Sequence, residues 1–422
     1  MSPSLAVALY YFLYIGSFGF WMPYFAAYLT SIGLTPSQAT RIQALFPVAS
    51  LFTPPLVGWV ADWLHARGRL LRWATTATAI SFLGFFLLAG RSRSVLADGA
   101  LPPVAVHYVV LATLAFAFCR APLVSLIDAT AHECVRRQGG SYGRLRLWGS
   151  LGFLLAAFAG GALTERYGMS QILPVTAMSL ALTMICAWLP ALGDAASAAS
   201  AASRRSPPPE TTPRTLGAGL ALLRTDDLWL LLAAVTIYQM AGASYDAAFS
   251  MHLLGLGFGP RFVGLAWSVG VLAEILLLAG SGAAIKRLGA ARLLPVALAT
   301  AAVRWSLLGR ANSAAAILAL QPLHGITFGW FYAAATTLIH ERSGGSRATS
   351  GQGLLAGALG LGSLLGMSWA GAILERAGGR TLYTAAAGLS GLAAVLSAFY
   401  ARRVLRALRT FPREAAAAVG PP

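Results

Sequence analysis

The sequence predicts an all-α membrane protein of twelve transmembrane helices, arranged as two pseudo-symmetric six-helix bundles. Composition, the length of the apolar runs and an internal repeat lead to that fold class. Of 422 residues, 57% are hydrophobic and 11% charged, and a mean hydropathy of +0.68 excludes a water-soluble globular protein of this size. Twelve apolar stretches lie at 5–30, 38–61, 70–90, 103–132, 146–166, 170–192, 227–253, 261–285, 292–309, 312–340, 348–374 and 381–401. Each comes near the ~20 residues that a helix needs to cross a bilayer core. Runs this long require helices, because barrel strands alternate over about ten residues. The repeat relates LGFLLAAFAGGALTERYG, Leu151 to Gly168, to LGSLLGMSWAGAILERAG, Leu361 to Gly378, without gaps and with nine identities in eighteen positions. The fifth helix therefore corresponds to the eleventh. GWVADWLHARGR after the second helix and GAAIKRLG after the eighth repeat a second pattern of glycine, charges and glycine.

The first stretch lacks a basic start and outruns the apolar length of a signal peptide, so it is read as helix one. Residues 1–192 then form the first bundle. A linker at 193–225, rich in Ala, Ser and Pro, is expected to be flexible and exposed. The second bundle follows at 226–404, and the tail at 405–422 is expected to be disordered.

The 31 Lys and Arg outnumber the 14 Asp and Glu, for a net charge of +17. Because these bases sit between spans, they set membrane orientation and do not mark a nucleic-acid partner. Alternate loops hold 21 against 7 of them, with three more inside helices. Both termini and the linker are accordingly placed on the cytoplasmic side of a bacterial-type inner membrane. Cys119, Cys134 and Cys186 have no CxxC pattern and no His at ligand spacing, so neither a disulfide framework nor a metal site is expected. The chain contains no GxSxG, HExxH or Walker-type run, which argues against a membrane-embedded enzyme, and no catalytic residue is assigned.

A charge at the bilayer centre costs roughly 2.5 to 3.5 kcal/mol, so each one needs a partner or a wet cavity. Six charged residues raise that question: Arg120, Asp128, Arg146, Asp246, Glu274 and Arg304. Glu274 lies too deep in helix eight to reach either interface. It is either a buried carboxyl paired with an arginine such as Arg304, or a site for a proton or substrate. Arg120 and Asp128 are eight residues apart on helix four, about 12 Å in rise, and cannot pair with each other. Arg120 is read as structurally paired elsewhere. Arg146, at the start of helix five, can snorkel to water or offer its planar fork to a carboxylate. Asp246 and His324 stand singly among small and apolar residues, as hydrogen-bonding helix contacts or as site groups. Aromatics recur on helix one at Tyr10, Tyr14, Trp21, Phe25 and Tyr28, and Trp267 precedes Glu274 by two turns. Such stripes usually pack, but aromatic walls beside arginines would also suit a flat, apolar acid.

Gly58, Asp62, Gly68 and Arg69 resemble the G-x-x-x-D-x-x-G-R/K loop of major facilitator transporters, with His65 and Ala66 stretching its spacing. YGRLRLWGS (142–150), PLVSLIDA (122–129), LAWSVGVLAEI (265–275), AVRWSLLG (302–309) and LQPLHG (320–325) together resemble the 3-phenylpropionate permease branch, related to lactose-permease-type proton symporters. The resemblance implies the major facilitator fold, with a substrate site near the midplane between duplicated halves. Arg146 would match an arginine that contacts sugar, Glu274 the nearby helix-eight carboxylate, and Arg304 and His324 two members of the proton-coupling cluster. Asp128 resembles an aspartate of the phenylpropionate branch. Thr327 stands where the proton-carrying glutamate is expected and Ser125 where another glutamate is expected. These departures argue against a sugar and leave the proton carrier unassigned.

The expected function is proton-coupled uptake of a small organic acid, an aromatic one such as phenylpropionate among the candidates, by alternating access. Arg146, Asp128, Trp267, Tyr14 and Asp246 are the candidate substrate contacts. Glu274, Arg304 and His324 are the candidate proton-coupling group, and Gly58, Asp62, Gly68 and Arg69 the candidate cytoplasmic gate. Protons serve as coupling ion, no other cofactor is expected, and the protein is expected to act as a monomer. A sugar or nucleoside symporter and a drug/proton antiporter are the alternatives.

Overall fold

The computed structural model describes residues 1–64, 66–94, 103–193, 227–343 and 348–418, which are helical apart from short turns and contain no strand. The linker from residue 194 and the tail beyond Ala418 lie outside the described residues. Ten helical runs among these residues are long and apolar enough to span a membrane. One of them, Ser350–Arg406, holds two helices that meet at Gly378. The second helix, Pro36–Gln43 continued by Leu45–Leu64, is roughly 40 Å long and completes a set consistent with twelve spans.

We number the helices α1 to α12. α1 comprises Pro3–Trp21 and Phe25–Ser31, and α2 is the helix just described. α3 is Arg67–Ser94. α4 comprises Pro103–Arg120 and Leu123–Gln138. α5 is Tyr142–Tyr167, α6 Ile172–Ala187, α7 Leu228–Gly255, α8 Pro260–Leu288 and α9 Ala290–Leu308. α10 is built from Ala314–Leu320, a π-helical stretch at Gly325–Trp330 and Phe331–Ser343. α11 and α12 are 348–377 and 379–418. α12 runs past Arg409 to Ala418.

Proline interrupts α4 and α10 at related places. Arg120-Ala121-Pro122 ends the first piece of α4, and Leu320-Gln321-Pro322 ends the first piece of α10. Proline lacks the N–H of the helical ladder and its ring displaces the preceding turn. Inside a membrane, such breaks persist where other groups satisfy the freed backbone. The sequence reading drew both helices as continuous.

Packing groups the chain into two compact units. One contains Met1–Glu210, Ser244–Val271 and Met367–Gly379; the other contains Thr211–Ala243, Leu272–Gly366 and Arg380–Pro422. Parts of α7, α8 and α11 thus join the first six helices, because small residues let their backbones approach closely. In the first unit, a Cβ added at Gly161 of α5 would lie 2.5 Å from the Pro260 carbonyl oxygen, and one at Gly371 of α11 would fall on Pro36 and Thr40. In the second unit, a Cβ at Gly362 would lie 2.5 Å from the Thr236 carbonyl oxygen. Gly161→Ala and Gly362→Ala are each expected to cost about 1–3 kcal/mol through overpacking. Their thermal unfolding midpoints should fall relative to wild type, whereas Gly357→Ala, with nothing within 4 Å of its added Cβ, should leave the midpoint unchanged.

The duplication is also visible at the ends of α5 and α11. Both finish on Glu-Arg-x-Gly, with Gly168 at φ 94° and Gly378 at φ 75°, a left-handed region favouring glycine. One turn earlier, the Glu165 carboxylate accepts the backbone N–H of Arg261, and that of Glu375 accepts the N–H of Ser37, each at 3.0 Å. Each accepting carboxylate satisfies an orphan donor in the first turn of a helix opened by proline, Pro260 or Pro36. The start of α2 carries a capping box as well, Thr35 with Gln38.

Candidate functional site

In the first unit, α1 presents Tyr11, Tyr14 and Phe18 along one face, at i, i+3 and i+7, against the antiparallel α4. The Tyr11 hydroxyl donates to Asp128 Oδ1 at 2.5 Å. The Tyr14 hydroxyl donates to the Arg120 carbonyl at 3.2 Å, one of the backbone groups at the α4 break. The Phe18 ring lies beneath the Arg120 guanidinium, 3.3 Å from Cζ to ring centroid, with Phe46 at 5.4 Å. Tyr142 stands beside Asp128, and Arg146 Cζ lies 5.7 Å from the Tyr11 ring centroid. The structure therefore gathers Asp128, Arg146 and Tyr14 on one stripe.

Among the described residues, neither Arg120 nor Arg146 forms an ion pair with a carboxylate. The structural pairing expected of Arg120 is absent there. α4 breaks immediately after it, and its guanidinium lies on aromatic rings instead. Beyond Phe18 the stripe becomes apolar: Trp21 stacks on Phe25 at 3.6 Å and meets Phe82, Phe85 and Phe116 edge-on.

Trp267 and Asp246 belong to the same unit but not to that stripe. Trp267 is buried against Tyr245 and Phe249, and its Nε1–H donates to Ser250 Oγ at 3.2 Å. Asp246 offers its backbone carbonyl to the Gln43 side-chain amide at 3.3 Å. An apolar pocket of about 240 Å³ opens on another face of α1, lined by Phe12, Gly16, Phe20, Leu155 and Met178, away from the charged groups.

The second unit holds the other cluster. Arg304 of α9 is wholly buried. It donates to Gln321 Oε1 at 3.1 Å and to Thr327 Oγ1 at 3.3 Å, and stands 3.1 Å from His324 Nδ1. Since guanidinium has no acceptor, Nδ1 must accept, which leaves the imidazole proton on Nε2. Nε2 is 3.6 Å from Glu274 Oε2, just beyond a direct hydrogen bond. His324 thus stands between Glu274 and Arg304, whose direct pairing is one of the two readings that the sequence allows for Glu274. Thr327 supplies a neutral acceptor for Arg304, and its carbonyl takes the Tyr238 hydroxyl bond. The π-helical stretch Gly325–Trp330 contains Thr327, and such distortions are frequent at functional sites.

Of the candidate gate residues, Gly58 and Asp62 fall in α2 and Gly68 and Arg69 in the first turn of α3. Arg69 is exposed. The side chain of Asp62, and His65 altogether, lie outside the described residues. Tyr11, Tyr142 and Gln321 were missed by the sequence reading. Tyr142 and Gln321 lie within quoted motifs and Tyr11 within the aromatic run of helix one, but as neutral polar groups nothing else in the sequence marks them.

Residues 5–385 match the profile of the MFS_1-like family. The chain belongs to this family of major facilitator transporters. It is 28% identical over 342 residues to the probable 3-phenylpropionic acid transporter of Escherichia coli, spanning 80% of this chain and 82% of that one. With the maltose permease of Geobacillus stearothermophilus it shares 31% identity over 300 residues, 70% and 68% of the two chains. A putative nucleoside transporter of Escherichia coli matches at 23% over 375 residues, 85% and 81%. Among solved structures, the nucleoside transporter NupG superposes with a TM-score of 0.75 over 96% of this chain and 99% of its own at 17% identity. An auto-inhibited POT family peptide transporter does so with 0.71 over 95% and 97% at 13%. This member of the MFS_1-like family is thus a multi-pass membrane transporter of small molecules with the major facilitator fold, and not an enzyme.

Proposed function

We propose that the chain is a proton-coupled symporter that takes up a small organic acid by alternating access, with its termini on the cytoplasmic face of a bacterial-type inner membrane and a single chain as the working unit. The Glu274, His324 and Arg304 constellation carries this proposal. It combines one carboxyl, an imidazole with its proton on the side of that carboxyl, and a fixed buried cation. A carboxyl in such surroundings alternates between holding a proton and remaining charged beside a cation, and symport needs that alternation. The cations Arg120 and Arg146, without a paired carboxylate among the described residues, favour an anionic cargo, in keeping with the name of the phenylpropionic acid relative. Asp62 and Arg69 remain the proposed cytoplasmic gate.

Purified protein in liposomes, given an inward acid gradient, should take up labelled 3-phenylpropionate faster than protein-free liposomes. The latter control is needed because a protonated aromatic acid also crosses lipid unaided. Uptake should rise as the gradient steepens, a one-unit step supplying about 1.4 kcal/mol per proton. A sugar or nucleoside symporter is the second reading, favoured by the names of two relatives. Protein-dependent uptake of maltose or uridine, with none of the acid, would establish it instead.

A further inference from the structure

Building on the organic-acid function proposed above, we infer that Arg120 is the carboxylate anchor for an aromatic monocarboxylate whose ring lies against Phe18 and Phe46. A guanidinium has five N–H donors in one plane. In Arg120 the face of that plane is taken by Phe18 at 3.3 Å and approached by Phe46 at 5.4 Å. Stacking occupies the face and leaves the donor edge open, which is the edge that receives a carboxylate in a two-bond fork. No side chain or carbonyl among the described residues accepts from that edge, and no carboxylate pairs with it. Inside a membrane, a half-buried cation whose donors meet no acceptor among the described residues is held for water or for an anion.

Arg146 is the less suitable of the two cations, because it shares Tyr11 with the Asp128 carboxylate. An incoming anion would meet that negative charge. At Arg120 the neighbours are the neutral Tyr14 hydroxyl and aromatic rings. Phe18 and Phe46 are both half-buried and so retain surface for a ligand, whereas Trp21, Phe25, Phe82, Phe85 and Phe116 behind them are buried and hold the wall rigid. The anchor also sits at the α4 break, and interrupted helices in corresponding positions of two halves point to the binding site in duplicated transporters.

The test measures binding of 3-phenylpropionate to the purified full chain by calorimetry, beside its uncharged amide and hexanoate. Arg120→Gln is expected to weaken 3-phenylpropionate about 10- to 100-fold, the range for losing a charge-assisted contact. Arg120→Lys should fall between Gln and wild type, and Arg144→Gln, an exposed arginine, should leave affinity unchanged. Phe46→Leu should narrow the preference for 3-phenylpropionate over hexanoate. Unchanged affinity in Arg120→Gln would overturn the anchor while leaving the organic-acid function standing. If Arg120→Gln does not fold, wild type decides: amide binding within about threefold of the acid overturns the anchor. Failure of wild type to bind any carboxylate, while a nucleoside or sugar binds, overturns anchor and function together.

Discussion

Glu274→Gln is expected to reduce proton-driven uptake to the rate of protein-free liposomes while exchange of substrate across the membrane continues. Glutamine keeps the shape and hydrogen-bonding reach of the protonated acid but cannot release a proton. Glu274 retains 20% side-chain exposure and its neighbour His324 12%, so the carboxyl is neither sealed away nor freely solvated. A permanently neutral group there leaves binding and the rocking of the helices intact but removes the step that ties cargo to protons. Counterflow, with labelled substrate outside and unlabelled inside, measures the retained half of the cycle. Wild-type proton-driven uptake in Glu274→Gln would remove this residue from coupling and direct attention to Asp128.

Arg304→Ala is expected to lower stability by about 3 kcal/mol and to abolish coupled transport. Gln321 Oε1 and Thr327 Oγ1 would lose buried, charge-assisted donors, each typically worth about 1.5–3 kcal/mol. A cavity beside Trp305, whose ring centroid is 4.5 Å from Arg304 Cζ, would add to the loss. Relief from burying a charge offsets part of it. Arg304→Lys keeps the charge but not the planar fork that reaches three side chains at once, and should fall between Ala and wild type. Thermal unfolding in detergent gives the order directly, and an unchanged midpoint for Arg304→Ala would show that the cluster does not hold α9 to α10.

The spans were legible in the sequence because a bilayer demands long apolar runs, and the correspondence of α5 with α11 survived as identical residues at helix contacts. Glu274, Arg304 and His324 stood out as costly groups in an apolar setting, and the structure brings them together. Their order was not legible, since helical spacing gives each residue a height and a face but not which side chain stands between two others. Pro122 and Pro322 were visible as residues, yet a proline within an apolar run signals a kink and a true break alike. Tyr11 shows a further limit. In a stripe of aromatic residues its hydroxyl looks like packing until the partner helix brings Asp128 opposite. Arg120 marks the reverse case, a charge assumed to have a mate whose surroundings turned out to be rings.

The carboxylate caps at Glu165 and Glu375 have an evolutionary corollary. α5 of the first sequence half holds the opening turn of α8, which occupies the place of the second helix in its own half, and α11 returns the same grip on α2. The exchange is reciprocal: patch i meets patch j, and j meets i, as in a twofold homodimer. A six-helix ancestor would thus have carried both members of its own self-complementary seam, and fusion into one polypeptide conserved a contact already present between separate copies.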